Sequence, residues 1–182
     1  MTDTLPRESS TPSLPHWLRV LIIGRNPRRT LWRIVALVVA TVITVKYIVT
    51  PVRVTGISME PTYLNGSVNF IYRLAYLRHP PRRGDVVAIR FSGPHVMLLK
   101  RVVGLPGETV SFADGRVCIN GTPLPEPYLR YHLDWEFSAG TLGTNEYYVV
   151  GDNRSMPPHY HDQGRAQLDH IVGRALLRGN LP

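Results

Sequence analysis

An uncharged apolar run, Ile34–Val45, limits what the first part of this chain can become. Extended to Leu31–Val49 it covers nineteen residues. As a helix these reach roughly 28 Å, close to the hydrocarbon thickness of a bilayer. Arg33 and Lys46 stand near its two ends, where long cationic side chains snorkel to the lipid–water boundary. Two other readings compete. A buried core helix is rarely so rich in β-branched residues. A cleaved secretory leader would carry a small-x-small site after Val45, and none follows. The expectation is an uncleaved anchor over residues 31–50.

The charge is lopsided about that run. The chain carries a net +8, and residues 1–33 alone carry +4, from Arg7, Arg19, Arg25, Arg28, Arg29 and Arg33 against Asp3 and Glu8. Basic residues gather before the apolar run, whereas the far side offers only Lys46 and Arg53. The positive-inside rule then places residues 1–30 in the cytoplasm and residues 51–182 outside, as a single-pass protein of the inner (plasma) membrane in contact with lipid. No basic groove interleaved with aromatic residues suggests a nucleic-acid partner. The sequence sets no oligomeric state. Cys118 is the single cysteine, in an apolar strand-like context, and reads as a buried inert thiol.

Beyond Pro51 the pattern changes to short apolar runs separated by Gly, Pro and Asn. Strands are predicted over Val52–Ile57, Ser67–Ile71, Asp85–Phe91, Val96–Val103, Thr109–Ala113, Arg116–Ile119, Glu146–Gly151 and His170–Leu177. Asn65-Gly66, Asp114-Gly115 and Asn120-Gly121 are turn signals between them. Thr122–Thr144, rich in Pro, Tyr and Gly, reads as a long loop or an extended hairpin. The fold class is therefore mainly β, with short antiparallel strands behind one N-terminal transmembrane helix. Asn65, Asn120 and Asn153 begin Asn-x-Ser/Thr triplets, and turn chemistry accounts for the first two.

Two stretches carry potential chemistry. Lys100 lies among Leu98, Leu99, Val102 and Val103. Loss of water around an ammonium disfavours its charged form, and a lysine neutral near pH 7 is a general base. The bland alternative is a lysine that snorkels from a strand edge. Upstream, Ser58 is punctuated by Gly56 and Pro61, which suits a nucleophile presented at a turn. Serine needs a base to take its proton, and a neutral lysine can serve. His159, His161 and Asp162 lack a further partner at ligand spacing, so no metal and no other cofactor is expected.

Together these stretches resemble the type I signal peptidases, serine–lysine endopeptidases that remove leader peptides from exported proteins. Gly56-Ile57-Ser58-Met59-Glu60-Pro61-Thr62 is similar to the family's nucleophile box, Arg83-Gly84-Asp85-Val86-Val87 to its second strand box, and Lys100–Glu108 to its lysine box. Asn120-Gly121 with Glu126-Pro127-Tyr128-Leu129, and then Tyr148–Arg154, resemble two more, in the family's order. The resemblance implies a membrane-bound peptidase with Ser58 as nucleophile and Lys100 as base. Its substrates would be preproteins with small residues before the cut, bound as an extended strand against Val52–Ile57 and the lysine box. Met59 would line the first pocket. Some members place an oxyanion-binding hydroxyl two positions before the nucleophile; here that position is Gly56, with Thr55 a nearby hydroxyl. Asp152, Asn153 and Arg154 read as scaffold, with Asp152 a candidate partner for Arg101. After Arg154 the pattern departs from the family: Asp162 and Arg165 stand for its acidic and basic members, and Ser155 and Tyr160 are the candidates for a lysine-orienting hydroxyl. Alternatives are a peptidase dedicated to one pilin or plasmid-encoded precursor, an inactive anchored binding homologue, and a self-cleaving repressor type that would not need the apolar span.

Overall fold

The computed structural model describes residues 26–92, 96–131, 134–155, 157–160 and 164–177. The chain divides into two units at Ile43/Thr44.

The first unit holds helix α1, Pro27–Ile43. Proline is well placed to open it: at the first helical position its missing N–H costs nothing and its fixed φ already suits the helix. The helix therefore starts ahead of the expected Leu31. None of its residues is buried, although Leu31, Trp32, Ile34, Leu37 and Val38 are large and apolar. The helical stretch Pro27–Ile48 is long and apolar enough to cross a membrane.

The second unit is built of antiparallel strands: β1 Val49–Arg53, β2 Val68–Tyr72, β3 Val86–Ser92, β4 Val96–Gly104, β5 Thr109–Ala113, β6 Arg116–Ile119, β7 Thr122–Pro123, β8 Phe137–Thr141, β9 Glu146–Val150, β10 Gly164–Gln167 and β11 Ile171–Ala175. They form a larger sheet in the order β1-β2-β11-β3-β4-β9-β10 and a smaller one in the order β7-β6-β5-β8. Asp114-Gly115 and Asn120-Gly121 both take positive φ and close the β5–β6 and β6–β7 turns as their sequence suggests.

The differences from expectation have local causes. Val49 and Thr50, counted with the anchor above, already pair with β2. The expected strand Val52–Ile57 ends at Arg53, because Gly56 turns the chain with φ +97°. Thr122–Thr144 is in part the expected long loop: residues 124–131 and 134–136 carry no helix or strand, but its ends form β7, paired with β6, and β8, paired with β5. Strands β8 (Phe-Ser-Ala-Gly-Thr) and β10 (Gly-Arg-Ala-Gln) are short and rich in small and polar residues of low strand propensity, and are recruited by neighbours that already form one.

Strand β4 serves two cores. Val103 packs with Val110, Phe112, Val117, Trp135, Leu142, Tyr148 and Val150, a cluster shared with the smaller sheet. Val102 packs with Val87, Ile89, Tyr147, Val149 and Ala166 of the larger sheet. The central ring contact is the stacked pair Phe112–Phe137, with centroids 4.5 Å apart. A third cluster gathers Val54, Met59, Tyr63 and Val86 beneath the β1–β2 connection. Gly104 ends β4 where no side chain fits: an added Cβ would lie 2.6 Å from Val110 Cγ2 and 2.9 Å from Leu142 Cδ1 and Tyr148 Cβ.

Two stability predictions follow from this packing. Gly104→Ala should destabilise the β unit by about 1–3 kcal/mol, read from its denaturant midpoint, because the crowded contacts come from three different segments. The second concerns alkali. Burial pushes the Tyr148 phenol up to about 12. Tyr76 and Tyr128 are also raised, chiefly by burial and then by the carboxylates of Asp85 and Glu126. The folded state thus keeps phenols protonated where the unfolded chain ionises them. Their contribution should be complete below pH ~10 and lost as pH rises towards ~12. A thermal midpoint unchanged from pH 10 to 12 would contradict this.

Candidate active site

The connection from β1 to β2 is held at both ends by its own backbone. Val54 N–H donates to Ser67 O (2.8 Å), and Gly66 N–H donates to Val54 O (2.8 Å). Inside it, Gly56 N–H donates to Asn65 Oδ1 (3.1 Å), and Glu60 N–H to Ile57 O (3.0 Å). The positive φ of Gly56 is a conformation that L side chains rarely adopt. Met59 is buried and fastens the connection to the third core cluster, while Ser58 beside it stays half-buried. Pro61, after a cis peptide bond, is half-buried in the same turn.

Strand β4 brings Lys100 to this connection. Only 1% of Lys100 is exposed, and its Nζ lies 3.1 Å from Ser58 Oγ. Residues Met97–Lys100 pair with β3 on one side; the pairing with β9 on the other side begins only at Arg101. A cavity of about 120 Å³ opens there, lined by Val52–Gly56, Ser58, Met59, Ala88 and Met97–Leu99. Thr55, Gly56 and Met59 thus line the space beside Ser58, and Ala88 and Met97 join them without having been singled out in the sequence. A larger hollow of about 480 Å³ borders Arg101, Asp85 and Arg174 but touches neither Ser58 nor Lys100.

The residues after β9 fasten three parts of the unit. Asp152 is wholly buried and accepts from Arg101 Nε (2.8 Å), Arg101 Nη2 (2.5 Å) and Thr62 Oγ1 (2.5 Å). Arg101 also donates to Gly84 O (2.8 Å), and its guanidinium lies 3.9 Å from the centre of the Tyr128 ring. Burial works against the Arg101 cation, but the hydrogen bonds and charge of Asp152 outweigh it and hold the group above its ordinary value. Asn153 N–H donates to Ser58 O (3.0 Å), and Asn153 Nδ2 to Ile57 O (3.1 Å). Arg154, fully buried beside the Phe112 and Trp135 rings, pairs with Glu126 at 2.7 Å. Glu126 in turn accepts from Tyr128 Oη (2.6 Å).

The structure therefore brings Ser58, Lys100, Arg101, Asp152, Asn153 and Arg154 into one connected neighbourhood. Asp162 and His161 lie outside the described residues. Ser155 donates its hydroxyl proton to Asn153 Oδ1 (2.6 Å) rather than to the lysine. Thr62, Glu126 and Tyr128 stand in motifs quoted above, but nothing in their spacing named their partners. If the Arg101–Asp152 pair locks β4 to the residues after β9, a double-mutant cycle with Arg101→Met and Asp152→Asn should give a coupling above about 1 kcal/mol, more than a solvated pair supplies.

Residues 28–179 match the protein family described as "Signal peptidase, peptidase S26". The chain is 36% identical over 129 residues to Signal peptidase I of Leptolyngbya laminosa, covering 66% of this chain and 64% of that one. It is 34% identical over 136 residues to Signal peptidase I V of Bacillus subtilis, covering 66% and 80%. Against Signal peptidase I of Bacillus licheniformis it is 34% identical over 152 residues, covering 78% and 75%. The match thus spans just under two thirds of the Leptolyngbya relative. The family match takes in α1, the serine-bearing connection, β4 and the residues after β9, and on it the chain belongs to the signal peptidase family, peptidase S26.

Proposed function

We propose that this protein is a membrane-anchored serine endopeptidase that cleaves N-terminal signal peptides from exported preproteins through a Ser58/Lys100 dyad. The observation that carries the reading is the 3.1 Å contact between a buried lysine amine and a half-buried serine hydroxyl in a chain of this family.

The chemistry runs in two halves. Burial favours the neutral Lys100 amine over the ammonium. That amine takes the Ser58 proton as Oγ attacks the scissile carbonyl carbon. The oxyanion accepts from the Ser58 N–H. Gly56 supplies no hydroxyl there, and Thr55 is exposed. As the tetrahedral species collapses, the C–N bond breaks and the Lys100 ammonium protonates the departing amine. Water then attacks the acyl-enzyme, gives its proton to Lys100, and Ser58 recovers its own.

Substrate recognition rests on the cavity beside Ser58. Its volume, about 120 Å³, suits a small side chain such as alanine next to the cut. The edge of β4 over Met97–Leu99, which lacks a β9 partner, offers backbone groups to an extended peptide. The helical stretch Pro27–Ile48 forms the anchor, the residues before it lie in the cytoplasm beside the inner membrane, and residues 49–182 form the extracytoplasmic catalytic domain. The arginines before the span support that orientation. Holding the enzyme in the membrane concentrates it where signal peptides reside.

The test is incubation of the full-length protein in detergent with a preprotein carrying an Ala-x-Ala site, with mass spectrometry of the products. One cut after the second alanine is expected. Ser58→Ala and Lys100→Ala should each lower kcat/KM by at least about a thousandfold while the unfolding midpoint stays near that of the parent. The rate should rise with pH through an inflection below the ordinary lysine value of about 10.4, because only the neutral amine is a base. Near-normal turnover by Lys100→Ala would assign the base elsewhere.

A further inference from the structure

We infer that Asn153 and Ser155 are positioning residues for the oxyanion donor: together they set the plane of the Ile57–Ser58 peptide. This rests on the peptidase reading above and extends it to residues that touch neither substrate nor lysine in that mechanism.

The geometry begins with one peptide unit. In a trans peptide the C=O of Ile57 and the N–H of Ser58 belong to one rigid plane and point in opposite directions. Whatever fixes the Ile57 carbonyl therefore aims the Ser58 N–H. Two donors fix it: Glu60 N–H at 3.0 Å from within the turn, and Asn153 Nδ2 at 3.1 Å from the far side of the unit. The next carbonyl, Ser58 O, accepts from Asn153 N–H at 3.0 Å. One buried residue thus grips the carbonyl on each side of the nucleophile's Cα.

Asn153 can do this only with its amide the right way round. Ser155 dictates that orientation, because its N–H (3.1 Å) and its hydroxyl (2.6 Å) both donate to Asn153 Oδ1. A flipped amide would set NH₂ against the Ser155 N–H and an oxygen against the Ile57 carbonyl, and both contacts would be repulsive. The Ser155 hydroxyl adds a second, short hydrogen bond to Oδ1 and so reinforces the donating pose. The hydroxyl weighed above as a lysine-orienting group instead acts through the nucleophile's backbone.

The two roles differ in what they change. Loss of a lysine-orienting group would move the inflection of the pH–rate profile. Loss of an oxyanion-positioning group lowers kcat and leaves the inflection in place. Ser155→Ala should lower kcat by about tenfold and Asn153→Asp, which keeps the shape but removes the Nδ2 donor, by about a hundredfold, short of or near the loss of an oxyanion donor itself. KM should stay within about twofold of the parent, since ground-state binding is untouched. Ser155→Thr, which keeps the hydroxyl, should restore turnover to within about threefold. A Ser155→Ala protein with the parent's kcat, a loss confined to KM, or a displaced pH inflection would each overturn the inference.

A second readout needs no turnover. In full-length protein labelled with ¹⁵N-asparagine, the side-chain amide protons of Asn153 should be protected from exchange, and about tenfold less so in Ser155→Ala. Protected protons in a protein inert to preprotein would sink the peptidase reading and leave the grip on the Ile57–Ser58 peptide standing. Unprotected protons in an active peptidase would do the reverse.

Discussion

Two adjacent basic residues in one strand, Lys100 and Arg101, are buried together, and the site is built around them. Lys100 and Arg101 both lose most of their water. Arg101 receives a buried carboxylate with bidentate geometry, a backbone carbonyl and an aromatic face. Its charge is thereby retained and turned into a tie between β4 and the residues after β9. Lys100 is set against a hydroxyl. Under the mechanism proposed above, that burial is what would suit Lys100 to act as a base.

The nucleophile's surroundings follow the same economy. Ser58 sits in a turn shaped by Gly56, pinned below by Met59 and held at its two flanking carbonyls by Asn153. Few of these contacts involve the reacting hydroxyl. They restrain the backbone around it and leave Ser58 half-buried. In the proposed mechanism such restraint would precede substrate binding and leave little reorganisation for the reaction.

Much of this is legible in the amino-acid sequence. Ser58 and Lys100 could be singled out because glycine, proline and a lysine in an apolar strand are local anomalies, and their motifs resemble a known family. Turns at Asp114-Gly115 and Asn120-Gly121 were readable because positive φ selects these residues. Strands β8 and β10 were not, since they are short, hold mostly small and polar residues, and have their state imposed by β5 and β9. The partners of Thr62, Glu126 and Ser155 were equally hidden. Each hydrogen bond depends on a side chain's direction, and for Thr62 also on a separation of 90 residues from Asp152. No periodicity encodes such distances.

Asp152, Asn153 and Arg154 are consecutive, yet they reach three different places: β4, the serine turn, and Glu126 beside the smaller sheet. A short peptide segment thus acts as a common hub for both sheets and the reactive centre. Its consequence is mechanical: the smaller sheet is not a detachable ornament. Loosening it would free Arg154 and slacken the two residues before it, so that, on the proposed function, heat-labile lesions in β5–β8 would dull peptide cleavage before gross melting.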